Sequence, residues 1–225
     1  MSRYIVDGIF FAPAIHLVAG ASGVGKTSWL LDTLVNQWAV GLPVLGGAAH
    51  PEPWAYVSGD RSRLDAEHRI MSLGLPLASV PLIPAYAVGT YDTMDWEKVL
   101  IEVTKTGART VVWEGFGRYV GDNAKGTKVD RWLEGMTMQA LRNDLCIIGV
   151  VEQPKMKPRD KYPIPRQRVS GPAAWGHHTQ TIILIEAENE RVPTNPNRVL
   201  YVLSHDSAPQ QFKATIAGGH FTIIP

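Results

Sequence analysis

A glycine-rich segment near the start of the chain, GASGVGKTS at residues 20–28, constrains the fold more than any other feature. It matches the pattern G-x-x-x-x-G-K-[ST], follows a largely apolar run (AIHLVA, 14–19) and precedes a stretch with apolar residues at helical spacing. A strand, a glycine-rich loop and a helix in this order predict a phosphate-binding loop, in which backbone N–H groups and the helix N-terminus face the phosphates. The predicted nucleotide-binding residues are Gly20, Ala21, Ser22, Gly23, Val24, Gly25, Lys26, Thr27 and Ser28.

The loop itself and the ends of three further predicted strands supply side chains suited to phosphate chemistry. Lys26 is predicted to bridge the β and γ phosphates of ATP, and Thr27 to hold Mg²⁺ together with Glu114, which ends the strand RTVVWE. Asp60, at the end of WAYVSGD, is a candidate general base for an attacking water. Gln153 follows the strand CIIGVVE, where an amide can sense the γ-phosphate. We therefore predict Lys26, Asp60, Glu114 and Gln153 to be catalytic.

Apolar, β-branched runs alternate with amphipathic stretches, a pattern typical of an α/β domain with a mainly parallel sheet flanked by helices. Short strands separated by turns after residue 180 indicate an antiparallel C-terminal extension. The predicted strands are 14–19, 54–58, 109–114, 146–151, 180–186, 198–204 and 211–216, and the predicted helices are 26–40, 62–73, 95–106 and 128–143.

The chain of 225 residues, 45% of them apolar, suits a single domain spanning residues 1–225. Its one cysteine, Cys146, lies in an apolar run and indicates a reducing compartment. The N-terminus lacks a signal sequence, and no run approaches the ~20 apolar residues of a membrane span. We expect a soluble protein of the bacterial or phage-infected host cytoplasm. Because the phosphate loop begins so early, we also expect no additional N-terminal domain.

The segment PKMKPRDKYPIPRQR at 154–168 concentrates positive charge. It holds six basic residues and one acidic residue, whereas the chain as a whole has 22 basic and 21 acidic residues. Acidic residues therefore outnumber basic ones in the rest of the chain. Its prolines disfavour both a helix and an inner strand. The segment is either a solvated charge run or a loop that contacts an anionic partner.

In this order, HLVAGASGVGKTS, YVSGDRSRLDAEHRIMSLG, VVWEGFGRY, IIGVVEQPK, RVSGPAAWGHHTQTIILI and YVLSHDSAPQ resemble the RecA-like P-loop ATPases. Within them the chain is similar to the RepA-type hexameric replicative helicases of the DnaB and KaiC superfamily. The resemblance implies a RecA-like fold, a hexameric ring, and an arginine finger at Arg168 that reaches a neighbouring subunit's ATP.

The chain departs from the family pattern at several positions. Asp60 and Glu114 exchange the usual glutamate and aspartate, and His205 replaces a lysine or arginine near the γ-phosphate. Arg69, on the second predicted helix, either approaches the adenine or is a solvated surface arginine. The Asp60/Glu114 exchange either conserves the water-to-metal geometry or indicates weak hydrolysis, and His205 argues against a second trans-acting cation.

The resemblance also implies that two loops line a central channel and bind single-stranded DNA. Lysines and arginines there would contact phosphates without reading sequence. The implied DNA-binding residues are Lys125, Lys128, Lys155, Lys157, Arg159 and Lys161.

The leading hypothesis is an ATP-hydrolysing motor on single-stranded DNA, a RepA-like helicase or translocase in DNA replication or recombination. A minimal phage-type recombinase or annealing ATPase fits the residues equally well. A KaiC-like regulatory ATPase that ignores nucleic acid and a P-loop small-molecule kinase are alternatives from other classes.

Overall fold

The computed structural model describes residues 3–59, 61–84, 96–117, 126–152, 178–188 and 195–224, with the backbone alone for 126–128. The helices are α1 (Lys26–Asn36), α2 (Arg63–Ser72), α3 (Trp96–Lys105) and α4 (Gly126–Asn143). The strands, in chain order, are β1 (Arg3–Val6), β2 (Phe10–Ala12), β3 (Ala14–Gly20), β4 (Trp54–Ser58), β5 (Leu82–Pro84), β6 (Thr110–Glu114), β7 (Cys146–Glu152), β8 (Thr181–Ala187), β9 (Asn197–Ser204), β10 (Gln210–Ala217) and β11 (His220–Ile224).

Within the described residues, nine strands form one sheet in the order β11-β10-β9-β8-β3-β7-β6-β4-β5. The six strands from β8 to β5 are parallel, and β9, β10 and β11 continue the sheet in antiparallel fashion. Strands β1 and β2 form a separate antiparallel hairpin. The predicted mainly parallel sheet with an antiparallel extension is confirmed. Because the central strands run in the same direction, the C-terminal ends of β3, β4, β6 and β7 lie at one edge of the sheet.

The helices cover both faces of the sheet. Apolar side chains of α1 and α2 form one core with the β1–β2 hairpin and with alternate residues of the central strands. Those of α3 and α4 form the other core with the intervening residues. Strand β3 is buried along its whole length. A strand covered on both faces has no solvated side, which explains why its sequence shows little polar alternation.

The predicted elements agree with the structure to within a few residues, except at one helix. Helix α1 ends at Asn36 rather than at residue 40, and a short 3₁₀ helix, Trp38–Val40, follows it. Trp38 is still buried, and its indole N–H donates to the His50 carbonyl at 3.0 Å. The helical spacing of apolar residues therefore continued past the true helix end.

Ser62 caps α2 as predicted, because its hydroxyl accepts from the Asp65 N–H at 3.2 Å. The predicted cap at Asp95 lies outside the described residues.

Polar contacts link the N-terminal ends of several strands, at the end of the sheet opposite the phosphate loop. Glu52 accepts a hydrogen bond from the Thr110 hydroxyl at 2.6 Å and forms an ion pair with Arg3. Asp144, just after α4, pairs with both Arg3 and Arg109. These contacts connect the first residues of β1 and β6 with the residues just before β4 and β7. None of the helices in the described part of the chain has the length and apolarity needed to cross a bilayer.

Candidate functional site

The phosphate-binding loop leaves the centre of the sheet between β3 and α1. A methyl group on Gly20 would lie 2.5 Å from the carbonyl oxygen of Ile185 on β8, so only glycine permits this approach of the two strands. Gly25 precedes the first residue of α1 with a φ of 100°. The loop therefore requires glycine at both ends, because neighbouring atoms leave no room for a side chain at Gly20 and the backbone at Gly25 is left-handed.

Replacing Gly25 with Ala is expected to destabilise the fold by about 1–3 kcal/mol, because the new methyl group would meet strained backbone and crowded neighbours together. That methyl group would lie 2.9 Å from Ile216 Cδ1 and 3.0 Å from Phe221 Cζ. Gly23→Ala is the matched control, since Gly23 also has positive φ (76°) but nothing within 4 Å of such a methyl group. Denaturant unfolding measures both variants. Equal losses would show that backbone strain alone, and not packing against β10 and β11, matters at Gly25.

The side chains of Lys26 and Thr27, at the start of α1, are both buried and hydrogen-bonded. The Lys26 ammonium donates to the carbonyl oxygens of Gly20 and Ala21, each at 2.9 Å. The Thr27 hydroxyl donates to Glu114 Oε1 at 2.6 Å. Lys26 therefore lies folded back over its own loop, within reach of any anion that the loop holds.

Glu114 is the centre of a buried polar cluster at the end of β6. Strand β7 separates β6 from β3, yet the Glu114 side chain reaches across to Thr27. Its other oxygen, Oε2, accepts a hydrogen bond from the Tyr56 hydroxyl on β4. Arg69 of α2 donates to Oε1 at 3.1 Å. Only 4% of Glu114 is exposed, and three donors satisfy its carboxylate, as a buried charge requires.

On the face of the sheet opposite to α1, the intervening strand β7 carries a glycine where the chain after β6 crosses it. A methyl group on Gly149 would lie 2.3 Å from Phe116 Cδ1, so the Phe116 ring occupies the space of a side chain. The ring packs against Trp113 and Trp132, with ring centroids 5.8 and 4.6 Å away. This packing anchors the turn that follows Glu114 against α4 and β7.

The oxygen ligands at this site fit a magnesium ion. Thr27 and Glu114 supply a hydroxyl and a carboxylate 2.6 Å apart, and Mg²⁺ favours such oxygen donors, using one or two carboxylates together with phosphate oxygens. Thr27 and Glu114 are therefore the residues that would hold the ion.

The antiparallel strands support the phosphate loop from one side. Arg198 of β9 is buried, and its Nε donates to the Val24 carbonyl at 3.0 Å. Burial lowers the pKa of Arg198 from its ordinary value, although a guanidinium still remains charged at neutral pH. Asp32 of α1 accepts from the Phe221 N–H at 3.2 Å and contacts the His220 ring at 2.9 Å. The C-terminal strands thus hold both the loop and the helix that follows it.

The structure brings some predicted residues together and leaves others undescribed. Lys26, Thr27 and Glu114 lie in one cluster, with the Gly20–Ser28 loop beside them. The Gly59 N–H donates to the Glu114 carbonyl at 3.1 Å, so the chain leading to Asp60 also runs along this cluster. Lys128 lies in α4, but its side chain is not described. The predicted residues outside the described ranges are Asp60, Lys125, Gln153, Lys155, Lys157, Arg159, Lys161 and Arg168.

Tyr56 and Arg198 were not predicted from the sequence, and neither interpretation of Arg69 contained a contact with Glu114. Tyr56 lies in a buried strand, where an aromatic residue is usually read as packing. Arg198 stands at the start of an apolar strand, where an arginine is usually read as solvated. A tyrosine four residues before Asp60, on the strand paired with the one ending in Glu114, was the available signal for Tyr56.

Comparison with solved structures matches this arrangement to a known fold. The crystal structure of a KaiC-like protein from the hyperthermophilic archaeon Pyrococcus horikoshii OT3 is similar with a TM-score of 0.65 at 14% sequence identity. The match covers 98% of this chain and 94% of the archaeal one. The chain has a RecA-like fold. The sequence itself matches no protein-family model and no curated protein. At this identity the similarity concerns the RecA-like fold alone.

Proposed function

We propose that this chain is a magnesium-dependent P-loop ATPase, built as a single RecA-like unit. The contact between Thr27 and Glu114 carries the proposal. A buried hydroxyl and a buried carboxylate 2.6 Å apart, beside a lysine at the start of a helix, have the composition of a Mg²⁺–triphosphate site. The location supports it as well, since parallel α/β sheets bind ligands at the C-terminal ends of their strands.

The proposed mechanism assigns a task to each residue around the loop. Backbone N–H groups of the loop and of the first turn of α1 bind the phosphates. Lys26 exchanges the carbonyls of Gly20 and Ala21 for phosphate oxygens, a short movement for a flexible ammonium. Asp60 accepts the proton of the attacking water, and Gln153 senses the γ-phosphate. Thr27 and Glu114 would hold the metal ion, whose charge would offset that of the phosphates.

We further propose that the ATPase acts on single-stranded DNA as an oligomeric motor, a ring of RepA-like helicase type. The position of the basic segment supports this. It begins just beyond β7, whose final residue Glu152 lies at the same sheet edge as the phosphate loop. The chain therefore passes from the proposed nucleotide site directly into the segment that carries Lys155, Lys157, Arg159 and Lys161, so a change in bound nucleotide could be transmitted to these residues through a few residues of chain. Lys125 and Lys128, just before and within the first turn of α4, would form the second contact.

A regulatory ATPase without a nucleic-acid partner is the second candidate. The fold shared with a KaiC-like protein is compatible with this candidate as well as with the motor, and so are the described residues. The two candidates differ in a single measurable property, which is the response of ATP hydrolysis to DNA.

Single-stranded DNA is expected to stimulate ATP hydrolysis at low salt, and the stimulation should fall as salt rises because phosphate contacts release counterions. Replacing Lys155, Lys157, Arg159 and Lys161 together with Ala is expected to weaken DNA binding strongly. It should also flatten the salt dependence by about 0.7 in slope for each lost phosphate contact. Fluorescence anisotropy with a labelled oligonucleotide measures both effects.

The control variant replaces four exposed basic residues elsewhere with Ala: Lys98, Lys105, Arg142 and Lys213. It removes the same charge and should bind DNA nearly as well as the wild type. If both variants lose affinity equally, net charge rather than the segment binds DNA. If hydrolysis does not respond to DNA at low salt, the motor proposal is wrong and the regulatory candidate replaces it.

A further inference from the structure

Arg69 makes an ion pair with the carboxylate that is proposed to hold the metal. Its Nη1 lies 3.1 Å from Glu114 Oε1, and the Arg69 side chain is 25% exposed compared with 5% for that of Glu114. Arg69 belongs to the last two turns of α2, a helix that packs through Ala66 and Ile70 on the core beneath the phosphate loop. The guanidinium is thus partly withdrawn from solvent and held against a buried acid, a setting in which a charge pair is only weakly screened.

The two oxygens of Glu114 have different partners. Oε2 accepts from the Tyr56 hydroxyl, which is itself fixed in the sheet. Oε1 accepts from both Thr27 Oγ1 and Arg69 Nη1. Tyr56 therefore fixes one oxygen of the carboxylate, and Oε1, next to the Thr27 hydroxyl, is the oxygen placed to face a metal ion. Arg69 donates its hydrogen bond to this same oxygen, Oε1.

Arg61, two residues before the start of α2, also faces Glu114 but makes a longer contact than Arg69 does. Arg61 Nε is 4.0 Å from the same Oε1, and the Arg61 side chain is 44% exposed. Arg69 Nη1, at 3.1 Å, is therefore the closer of the two arginines to the Glu114 carboxylate.

We propose that Arg69 and the divalent cation compete for Glu114 Oε1, so that Arg69 sets the Mg²⁺ concentration at which nucleotide binds tightly. The inference rests on the proposed ATPase function and adds a positioning residue to it. A guanidinium is charged at every accessible pH, so it repels an incoming cation and must leave Oε1 when the ion binds. Without metal, the same guanidinium compensates the buried carboxylate, which would otherwise be costly to leave unpaired.

The test measures binding of a fluorescent, non-hydrolysable ATP analogue as free Mg²⁺ is varied. In Arg69→Gln the Mg²⁺ concentration at half-maximal binding is expected to fall about fivefold, because the competing charge is gone while an amide donor remains. Affinity at saturating Mg²⁺ should stay within about twofold of the wild type, since the exchange is then complete in both proteins. Arg69→Lys keeps the charge but loses the planar guanidinium, and its midpoint should fall between the other two.

Arg63→Gln is the matched control on the same helix. Arg63 is exposed and pairs with Glu67 at 2.7 Å rather than with Glu114, so its Mg²⁺ midpoint should equal that of the wild type. An unchanged or raised midpoint in Arg69→Gln overturns the inference. So does an equal loss of affinity in EDTA and in Mg²⁺, which would make Arg69 a phosphate ligand or a scaffold residue. If Arg69→Gln does not fold, the direction of the Arg69→Lys shift decides.

The wild-type titration separates the Arg69 inference from the ATPase proposal. Wild-type binding that increases with Mg²⁺, together with an unshifted Arg69→Gln midpoint, overturns the Arg69 inference and leaves the ATPase proposal intact. Wild-type protein that binds no analogue at any Mg²⁺ concentration overturns the ATPase proposal, and the inference falls with it.

Discussion

Changing Glu114 to Gln is expected to lower magnesium-dependent ATP hydrolysis by at least about 100-fold, comparable to removing one preorganised electrostatic group from an active site. The Glu114 carboxylate accepts from Thr27 Oγ1, from Arg69 and from the Tyr56 hydroxyl. An amide offers one acceptor atom and an NH₂ group that would face donors. The proposed metal ligand is therefore lost and the polar cluster is left imperfectly paired. A steady-state phosphate-release assay over a range of Mg²⁺ concentrations measures the change.

Glu52→Gln is the matched control for Glu114→Gln. Glu52 is the carboxylate at the opposite end of β6, where it accepts from Thr110 and pairs with Arg3. Its replacement removes a charge next to the same strand and is expected to reduce stability by about 1–3 kcal/mol, because Arg3 loses one of its two carboxylate partners. Hydrolysis per folded molecule should stay close to that of the wild type. A comparable loss of turnover in both variants would mean that Glu114 supports the fold rather than the chemistry.

Arg168→Ala is expected to reduce ATP turnover about a thousandfold while leaving nucleotide affinity nearly unchanged, as for loss of an arginine finger that acts on a neighbouring subunit's ATP. Arg166→Ala removes a cation two residues away and should change turnover little. Rapid-quench turnover and binding of a fluorescent ATP analogue measure the two properties separately. Lost nucleotide affinity in Arg168→Ala would assign Arg168 to the binding site of its own subunit.

Mixing two inactive variants tests whether Arg168 acts across subunits. Lys26→Ala removes the lysine proposed to bind phosphate but retains Arg168, and Arg168→Ala retains the phosphate loop. In a mixed oligomer, an intact loop from one variant would face an intact arginine from the other, so turnover should partly return. Native mass spectrometry with an ATP analogue reports whether the oligomers mix. Mixed oligomers without recovered turnover would contradict a finger that acts in trans.

The four central strands around the candidate site were predictable because each is a buried, largely apolar run, followed in β3 by the glycine-rich loop and ending in a polar residue in β4, β6 and β7. β3, β4, β6 and β7 agree with their predicted bounds to within one residue. β1, β2 and β5 were missed because strands of three or four residues show little periodicity, and Pro84 in β5 also argues against a strand. β11 was missed because, unlike β4 and β6, it is not a buried apolar run. The end of α1 was misplaced because Trp38 continues the apolar spacing while the backbone leaves the helix at Gln37.

The sequence alone determined the phosphate loop, since glycines at fixed spacing between a strand and a helix permit few other backbones. It also placed Glu114 at a strand end, because an apolar run that stops at an acid predicts a carboxylate at the sheet edge. Only the tertiary structure decided which side chains meet that carboxylate. Tyr56 and Arg69 approach Glu114 from β4 and α2, and Arg198 reaches the loop from β9. Such contacts depend on strand order and helix placement, which local periodicity does not encode, because they are set by how the two cores pack against the sheet.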